Sequence, residues 1–433
     1  MATVAFFPEG AYGPTNNCVG IGDVLRRRGH RVVFIVEESF AGTLEALGFE
    51  ERLMRLGPAP EVEEEPGQFW KDYVKENAPA FRRPTIEQIE GFMAPTYGAL
   101  IDGSKYVDDR LVEILEELRP DVVVEDNVVA FPALLAGGRP WVRIVSCNPL
   151  ELPDPELPPA YSGLPADDRS GWDEFRQEYR RVLSPVHADF DDFCRSRGAP
   201  ALPELEFTPE SSWLNLYGYP RAVDYERSRP LGPSWYNVQA SVRSTEPDWP
   251  RFAELPDGDG ALVYLSLGSL GSADVDLMQR LIDTLAASEH RVVVSMGPRA
   301  DELRLAGNTV GEEFLPQTTV LPKVDVVITH GGNNTVVESL HFGKPMVLLP
   351  LFWDQHDNAQ RMHETGFGIR LSTYDHEPEE LLRAIERLRG DAALAERLRQ
   401  CSQSLQALQG AAAAAEQIEQ VALSGAPAAY RAV

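Results

Sequence analysis

Between Thr329 and Ala359 the chain reads THGGNNTVVESLHFGKPMVLLPLFWDQHDNA, and its polar residues fall where chemistry on a phosphorylated, hydroxyl-rich molecule would need them. His330, Gly331 and Gly332 end an apolar run, and Asn334 and Thr335 open an amphipathic one. The pattern predicts a strand, a tight turn and a helix whose first N–H groups, with small polar side chains beside them, favour phosphate. Glu338 follows Asn334 by one helical turn, where a carboxylate accepts from vicinal hydroxyls such as those of a ribose. Asp354 and Gln355 come after the next apolar run, KPMVLLP, and offer an acceptor and an amide at the same sheet edge. Phosphate donors, a diol acceptor and a polar pair suited to sugar hydroxyls together describe a nucleotide sugar.

Elements that could position these residues alternate along the chain. ATVAFF (2–7), RVVFIV (31–36), PDVVVEDN (120–127) and RPWVRIVSC (139–147) read as strands of a parallel sheet, with helical patterns over 16–28 and 108–118 between them. His30 follows the stop signal Gly29, where a cation suits the end of a helix. The proline-rich stretch 149–165 breaks the pattern, 172–183 resumes as a helix, and SRPLGPSW (228–235) reads as an interdomain linker. Strand candidates return at 261–269, 290–297, 308–314, 324–332 and 344–350, with a helix over 274–288. The expected organisation is α/β in two halves. An N-terminal domain spans 1–230, a ligand-binding C-terminal domain 231–410, and a helix with its tail 411–433. Ligand would lie at the C-terminal ends of the strands.

Length and composition agree with two cores: the chain has 433 residues, 43% hydrophobic and 25% charged. The formal charge of −27 repels a phosphate backbone and argues against nucleic-acid binding. There is no apolar run of membrane-spanning length and no basic leader before one, so a cytoplasmic protein without a membrane partner is expected. Cys18, Cys147, Cys194 and Cys401 are widely spaced and form no metal or redox motif. The acidic run Glu61–Glu65 reads as a solvated loop rather than a cation site.

The segment 329–359 resembles the donor signature of the family-1 nucleotide-sugar glycosyltransferases, which include plant, animal and macrolide-modifying enzymes. The similarity extends from the first strand and RRGHRVVF to the donor motif, while 150–230 is generic. The resemblance implies a GT-B fold, two Rossmann-like domains facing across a cleft. It implies that His330, Gly332, Asn334 and Thr335 contact the diphosphate, that Glu338 holds the ribose, and that Asp354 and Gln355 hold sugar hydroxyls. It also implies that Ser269 in SLGS stands beside the diphosphate and that FLPQ, with Phe314 and Gln317, receives the base. The co-substrate would be a UDP- or TDP-sugar, with no metal and no bound cofactor.

The same resemblance exposes a departure. The family's first strand leads into Gly-His, whose histidine deprotonates the acceptor, but here GPTNN puts Pro14 at that position. Asp126, ending the strand in VVVEDN, matches the family's partner aspartate. The base is then expected to be Asp126, Glu9 or Glu125, or an acidic acceptor needs little help. The expected reaction is inverting transfer to a small natural-product acceptor, aromatic or polyketide, by a monomer or homodimer. The competing reading is an impaired nucleotide-sugar binder or a helper of another transferase. Tyr12 and Trp141 would supply aromatic faces to the acceptor.

Overall fold

The computed structural model describes residues 1–59 and 76–428. The run Glu61–Glu65 therefore lies outside the described residues, as do the last residues of the tail. The strands are short apolar runs that expose little backbone once covered on both faces, as parallel sheets require. β1 (Thr3–Pro8), β2 (Arg31–Glu37), β3 (Glu50–Met54), β4 (Val122–Asp126), β5 (Trp141–Val145), β6 (Leu214–Tyr217) and β7 (Trp235–Asn237) form one parallel sheet ordered β3-β2-β1-β4-β5-β6-β7. β8 (Leu262–Ser266), β9 (Arg291–Ser295), β10 (Thr309–Glu312), β11 (Val326–Thr329), β12 (Met346–Leu348) and β13 (Gly368–Arg370) form a second, ordered β10-β9-β8-β11-β12-β13.

Longer helices cover the sheets: α1 (Tyr12–Arg27), α2 (Ala94–Leu118), α3 (Trp172–Ser196), α4 (Val275–Ala286), α5 (Asn333–His341), α6 (Gln355–Glu364), α7 (Pro378–Gly390), α8 (Ala392–Leu408) and α9 (Gly410–Ser424). Local chemistry sets several starts. The Asp274 side chain accepts from the Leu277 amide to cap α4, and Glu377 with Glu380 forms a reciprocal box around Pro378 at the start of α7.

Three expectations are corrected. The stretch GPTNN is not a loop: Ala11 is the N-cap and Tyr12 already begins α1. Pro14 fits there because the first-turn amides have no intrahelical acceptor to lose. The linker is not 228–235, because β7 pairs with β6 and completes the first sheet; the crossing to the second sheet follows it. The C-terminal helix α9 is not a separate appendage. Its Ala414, Ala415, Ile418 and Val421 pack in the core of the first sheet with Cys18, Val19 and Leu25 of α1. His30 takes part in that return as an anchor, its Nδ1 accepting from the Ala2 amide and its Nε2 lying 3.0 Å from Glu419.

The chain thus crosses between halves twice, and the two crossings touch. A Cβ on Gly410 would stand 2.0 Å from the Ala240 carbonyl oxygen and 2.3 Å from that of Val238, so only glycine fits this contact. The two halves also share apolar packing. Phe352 stacks on Phe81 at 4.7 Å, and Trp353 lies 5.2 Å from Tyr97 and 4.9 Å from Tyr161. Trp353 adopts φ 56° to reach that pocket, so it serves interdomain packing.

Candidate active site

Strand register assembles the C-terminal half of the site. Thr329 pairs with Ser266 on one side and Leu348 on the other, so the residues just beyond them, His330, Leu267–Ser269 and Leu349, emerge at one edge. The imidazole of His330 lies against two glycines. A Cβ on Gly268 would come within 2.7 Å of its Cε1, and one on Gly332 within 2.4 Å of its Nε2. Burial holds the imidazole neutral, pushing its pKa down to about 4 against a hydrogen bond with the Ser266 backbone. His330 therefore offers a hydrogen-bonding atom without a charge. Gly332 caps α5, and Ser269 lies in the short helical turn Gly268–Gly271.

Glu338 is buried one turn into α5 and is held at both oxygens. Gln317 Nε2 donates to Oε2 at 2.7 Å, and Arg243 Nη1 donates to Oε1 at 2.6 Å. Gln317 also lies 3.3 Å from Thr335 Oγ1 and accepts from Tyr264 Oη at 3.2 Å, which ties the FLPQ stretch to α5. Phe314 is 41% exposed and meets the Tyr12 ring at 5.4 Å. The structure thus brings Phe314, Gln317, Thr335, Glu338, His330 and Ser269 to one edge of the second sheet.

Other predicted contacts turn toward protein. Asn334 is bound by α1: its Nδ2 donates to the Gly13 carbonyl at 2.8 Å, and its Oδ1 accepts from Asn17 Nδ2 at 2.9 Å. Asp354 Oδ2 accepts from the Asn148 amide at 2.8 Å and from Asn358 Nδ2 at 3.1 Å, and burial pushes its carboxyl up to about 7. Gln355 Oε1 accepts from the Leu351 and Phe352 amides. Asn334 and Asp354 are thus held by groups of the other half and Gln355 by amides of its own loop, since a buried carboxylate or amide without a partner costs free energy.

In the N-terminal half, Pro8 pairs with Asp126, so Glu9 and Asn127 leave the sheet side by side. Asp126 is buried and accepts from Ser146 Oγ at 2.5 Å. Ser146 Oγ in turn accepts from Asn17, which completes a chain from Asp126 to Asn334 across the halves. Burial raises the Asp126 carboxyl well above the usual range. Glu125 is raised to about 8 by burial, opposed by Arg143, and its Oε1 has no partner among the described residues.

Glu9 is different. It is raised to about 7, chiefly by burial, and lines a cavity of about 470 Å³ with Leu56, Leu100, Tyr106, Val129 and Phe131. Neither histidine of this half enters the site, since His30 binds Ala2 and Glu419 and His187 lies against the Pro203 and Glu206 carbonyls.

The aromatic expectations are also corrected. Trp141 begins β5, at the end of the sheet opposite the cleft, and is 7% exposed, so it packs in the core. Tyr12 sits between Phe40 and Phe314, which places it beside the FLPQ stretch. Arg243 was missed because it lies in a segment with no motif, 95 residues from the glutamate it contacts.

Two parallel α/β sheets, each covered by helices, match the GT-B glycosyltransferase fold. The solved structure of the glycotransferase of kitacinnamycin matches 97% of this chain and 98% of its own with a TM-score of 0.66 at 22% identity. Residues 243–403 match the family model UDP-glucoronosyl and UDP-glucosyl transferase. UDP-glucuronosyltransferase 2B16 of Oryctolagus cuniculus is 30% identical over 67% of this chain, which spans 59% of that enzyme's length. NDP-glycosyltransferase YjiC of Bacillus subtilis (strain 168) is 23% identical over 92% of this chain and 91% of its own. The chain thus resembles the family-1 nucleotide-sugar glycosyltransferases, in the family model over its C-terminal half and in fold over both halves. Among the described residues no helix is long and apolar enough to cross a membrane.

Proposed function

We propose that the protein is an inverting glycosyltransferase that moves a sugar from a UDP- or TDP-sugar to a hydroxyl of a small, largely apolar natural product. The observation that carries this reading is the convergence of His330, Thr335, Glu338 and Gln317 at the start of α5, within the stretch that matches the family model. The names of the relatives point to nucleoside-diphosphate sugars as donors. On this reading the N-terminal amides of α5, His330 and Ser269 hold the diphosphate and stabilise its charge as it leaves. Glu338 and Gln317 hold the ribose and Phe314 the base. A sugar would share Asp354 with Asn148.

For the acceptor we favour Glu9 as the base. It is the carboxyl that both leaves the end of β1 and lines an apolar cavity, whereas Asp126 is occupied by Ser146 and Glu125 by Asn127. The acceptor oxygen attacks the anomeric carbon as the bond to the diphosphate oxygen breaks. The hydroxyl proton passes to Glu9, and the nucleoside diphosphate leaves with the electron pair. Asp126, through Ser146 and Asn17, fixes the first turns of α1 beside the donor helix.

The test is nucleotide release from UDP-glucose and TDP-glucose with and without phenolic and macrolide acceptors, in wild type and Asp354→Ala. Acceptor-dependent release by the wild type, lost in Asp354→Ala while the fold persists, is expected. Full activity in Asp354→Ala would sink the sugar-site assignment. Nucleotide binding with no turnover on any acceptor would leave a nucleotide-sugar binder instead.

A further inference from the structure

The donor site contains an electrostatic conflict that the family motif alone does not resolve. A nucleoside diphosphate brings two or more negative charges to a site whose histidine is held neutral, and Glu338 adds a carboxylate one helical turn from the phosphate-facing end of α5. In a buried site two like charges at such separations repel by more than they would in water.

The structure answers with a residue from outside the motif. Arg243, 7% exposed, comes from the segment that joins the halves and places Nη1 2.6 Å from Glu338 Oε1. Its Nη2 lies 2.5 Å from Glu246 Oε1, and Glu246 Oε2 accepts from both the amide and the hydroxyl of Thr318 at 2.7 Å. One guanidinium therefore fixes Glu338 and, through Glu246, the start of the Gln317–Val320 turn that faces it. The planar fork of arginine suits this double bridge, and a lysine would keep the charge but lose one arm.

We propose that Arg243 is the positioning residue of the donor site: the interdomain crossing supplies the cation that orients Glu338 for the ribose and offsets its charge against the diphosphate. The proposal rests on the nucleotide-sugar reading above. It extends that reading by making donor affinity depend on a residue of the crossing, the segment that also carries the backbone contact with Gly410.

Charge arithmetic gives the test. Calorimetric or competition affinities are measured for UDP and TDP and for the matching nucleosides, uridine and thymidine, in wild type, Arg243→Met, Arg243→Lys and Glu338→Gln. Removing the cation leaves Glu338 facing the diphosphate, so Arg243→Met is expected to weaken the diphosphate at least about tenfold while changing the nucleoside far less. Arg243→Lys should recover part of that loss. Glu338→Gln leaves Arg243 less neutralised, so it should shift the ratio of diphosphate to nucleoside affinity the other way, even though both ligands lose a ribose contact. In turnover, Arg243→Met should raise the donor KM with kcat within a few-fold of wild type. A merely structural arginine would weaken both ligands alike in Arg243→Met and leave the ratio unmoved in Glu338→Gln, and that result would overturn the proposal. If Arg243→Met does not fold, the ratio in Glu338→Gln and Arg243→Lys decides by the same criterion. A wild type that binds neither diphosphate would overturn the donor reading itself, and this inference with it.

Discussion

Glu9 stands where the first strand delivers its chain to the cleft, and its environment suits proton transfer near neutrality. A carboxyl with a pKa of about 7 is ionised enough to accept a proton and basic enough to hold it. If it is the base, kcat/KM should rise with pH and level off above about 7, because only the ionised form accepts. Glu9→Gln should lower kcat by about 10²- to 10⁴-fold and abolish that limb. A variant that keeps both the rate and the limb would return the role to Asp126 or to the acceptor. That Pro14 stands where the resemblance expects a histidine is read from the sequence alone. Which carboxyl would serve as base is not, because the choice among Glu9, Glu125 and Asp126 depends on which cavity each lines and on what already binds it.

At the level of elements, one polar tie between the halves joins the start of α1 to the first turn of α5. Asn334 accepts from Asn17 and donates to the Gly13 carbonyl, so its removal deletes two cross-domain hydrogen bonds, each worth about 1 kcal/mol. Asn334→Ala should therefore favour opening, seen as a larger radius of gyration in X-ray scattering and faster amide exchange at residues 12–17. An unchanged radius and exchange rate would show that the other cross-half contacts, the Asn148–Asp354 bond and the packing of Phe352 and Trp353 among them, hold closure without it. The contact at Gly410 is less forgiving. A methyl group there meets two backbone carbonyls, and Gly410→Ala should destabilise by about 2 kcal/mol or more, lowering the melting temperature by several degrees. The sequence marks α1 and α9 as helices, but it does not say that they pack on each other.

Across the whole molecule, burial raises a set of carboxyls together. Glu9 and Asp354 reach about 7, and Glu125 and Asp357 about 8. In each case the folded state holds a proton that the unfolded chain has released above its ordinary carboxylate pKa. Folding therefore binds protons between about pH 4.5 and 8, and stability falls as pH rises through that window, by up to about 1.4 kcal/mol per pH unit for each group. The net charge of −27 adds repulsion in the same direction. Melting temperatures at constant ionic strength should decline from about pH 5 to 8.5. Glu125→Gln, which removes a carboxyl whose Oε1 has no partner among the described residues, should flatten the decline; a profile that rises with pH would refute this account.

The sequence by itself determined the two parallel sheets and the donor motif, because both are written locally. Runs such as VVFIV and VVVED can only be buried strands, and HGGNNTVVE carries its turn, helix start and carboxylate within one βα unit. Strands without such runs escaped that reading. β3 is polar and lies at a sheet edge, while β7 and β13 are three residues long and acquire meaning only from the neighbours they pair with. Tertiary structure alone decided the rest. It moved the crossing past β7, returned α9 to the first sheet, set Trp141 in the core, and gave Asn334, Asp354 and Gln355 protein partners. It also brought Arg243 onto Glu338. Apart from the local bonds of Gln355, each of these is a contact between residues far apart in the chain, fixed by the requirement that buried polar groups find partners and that two apolar faces close on each other.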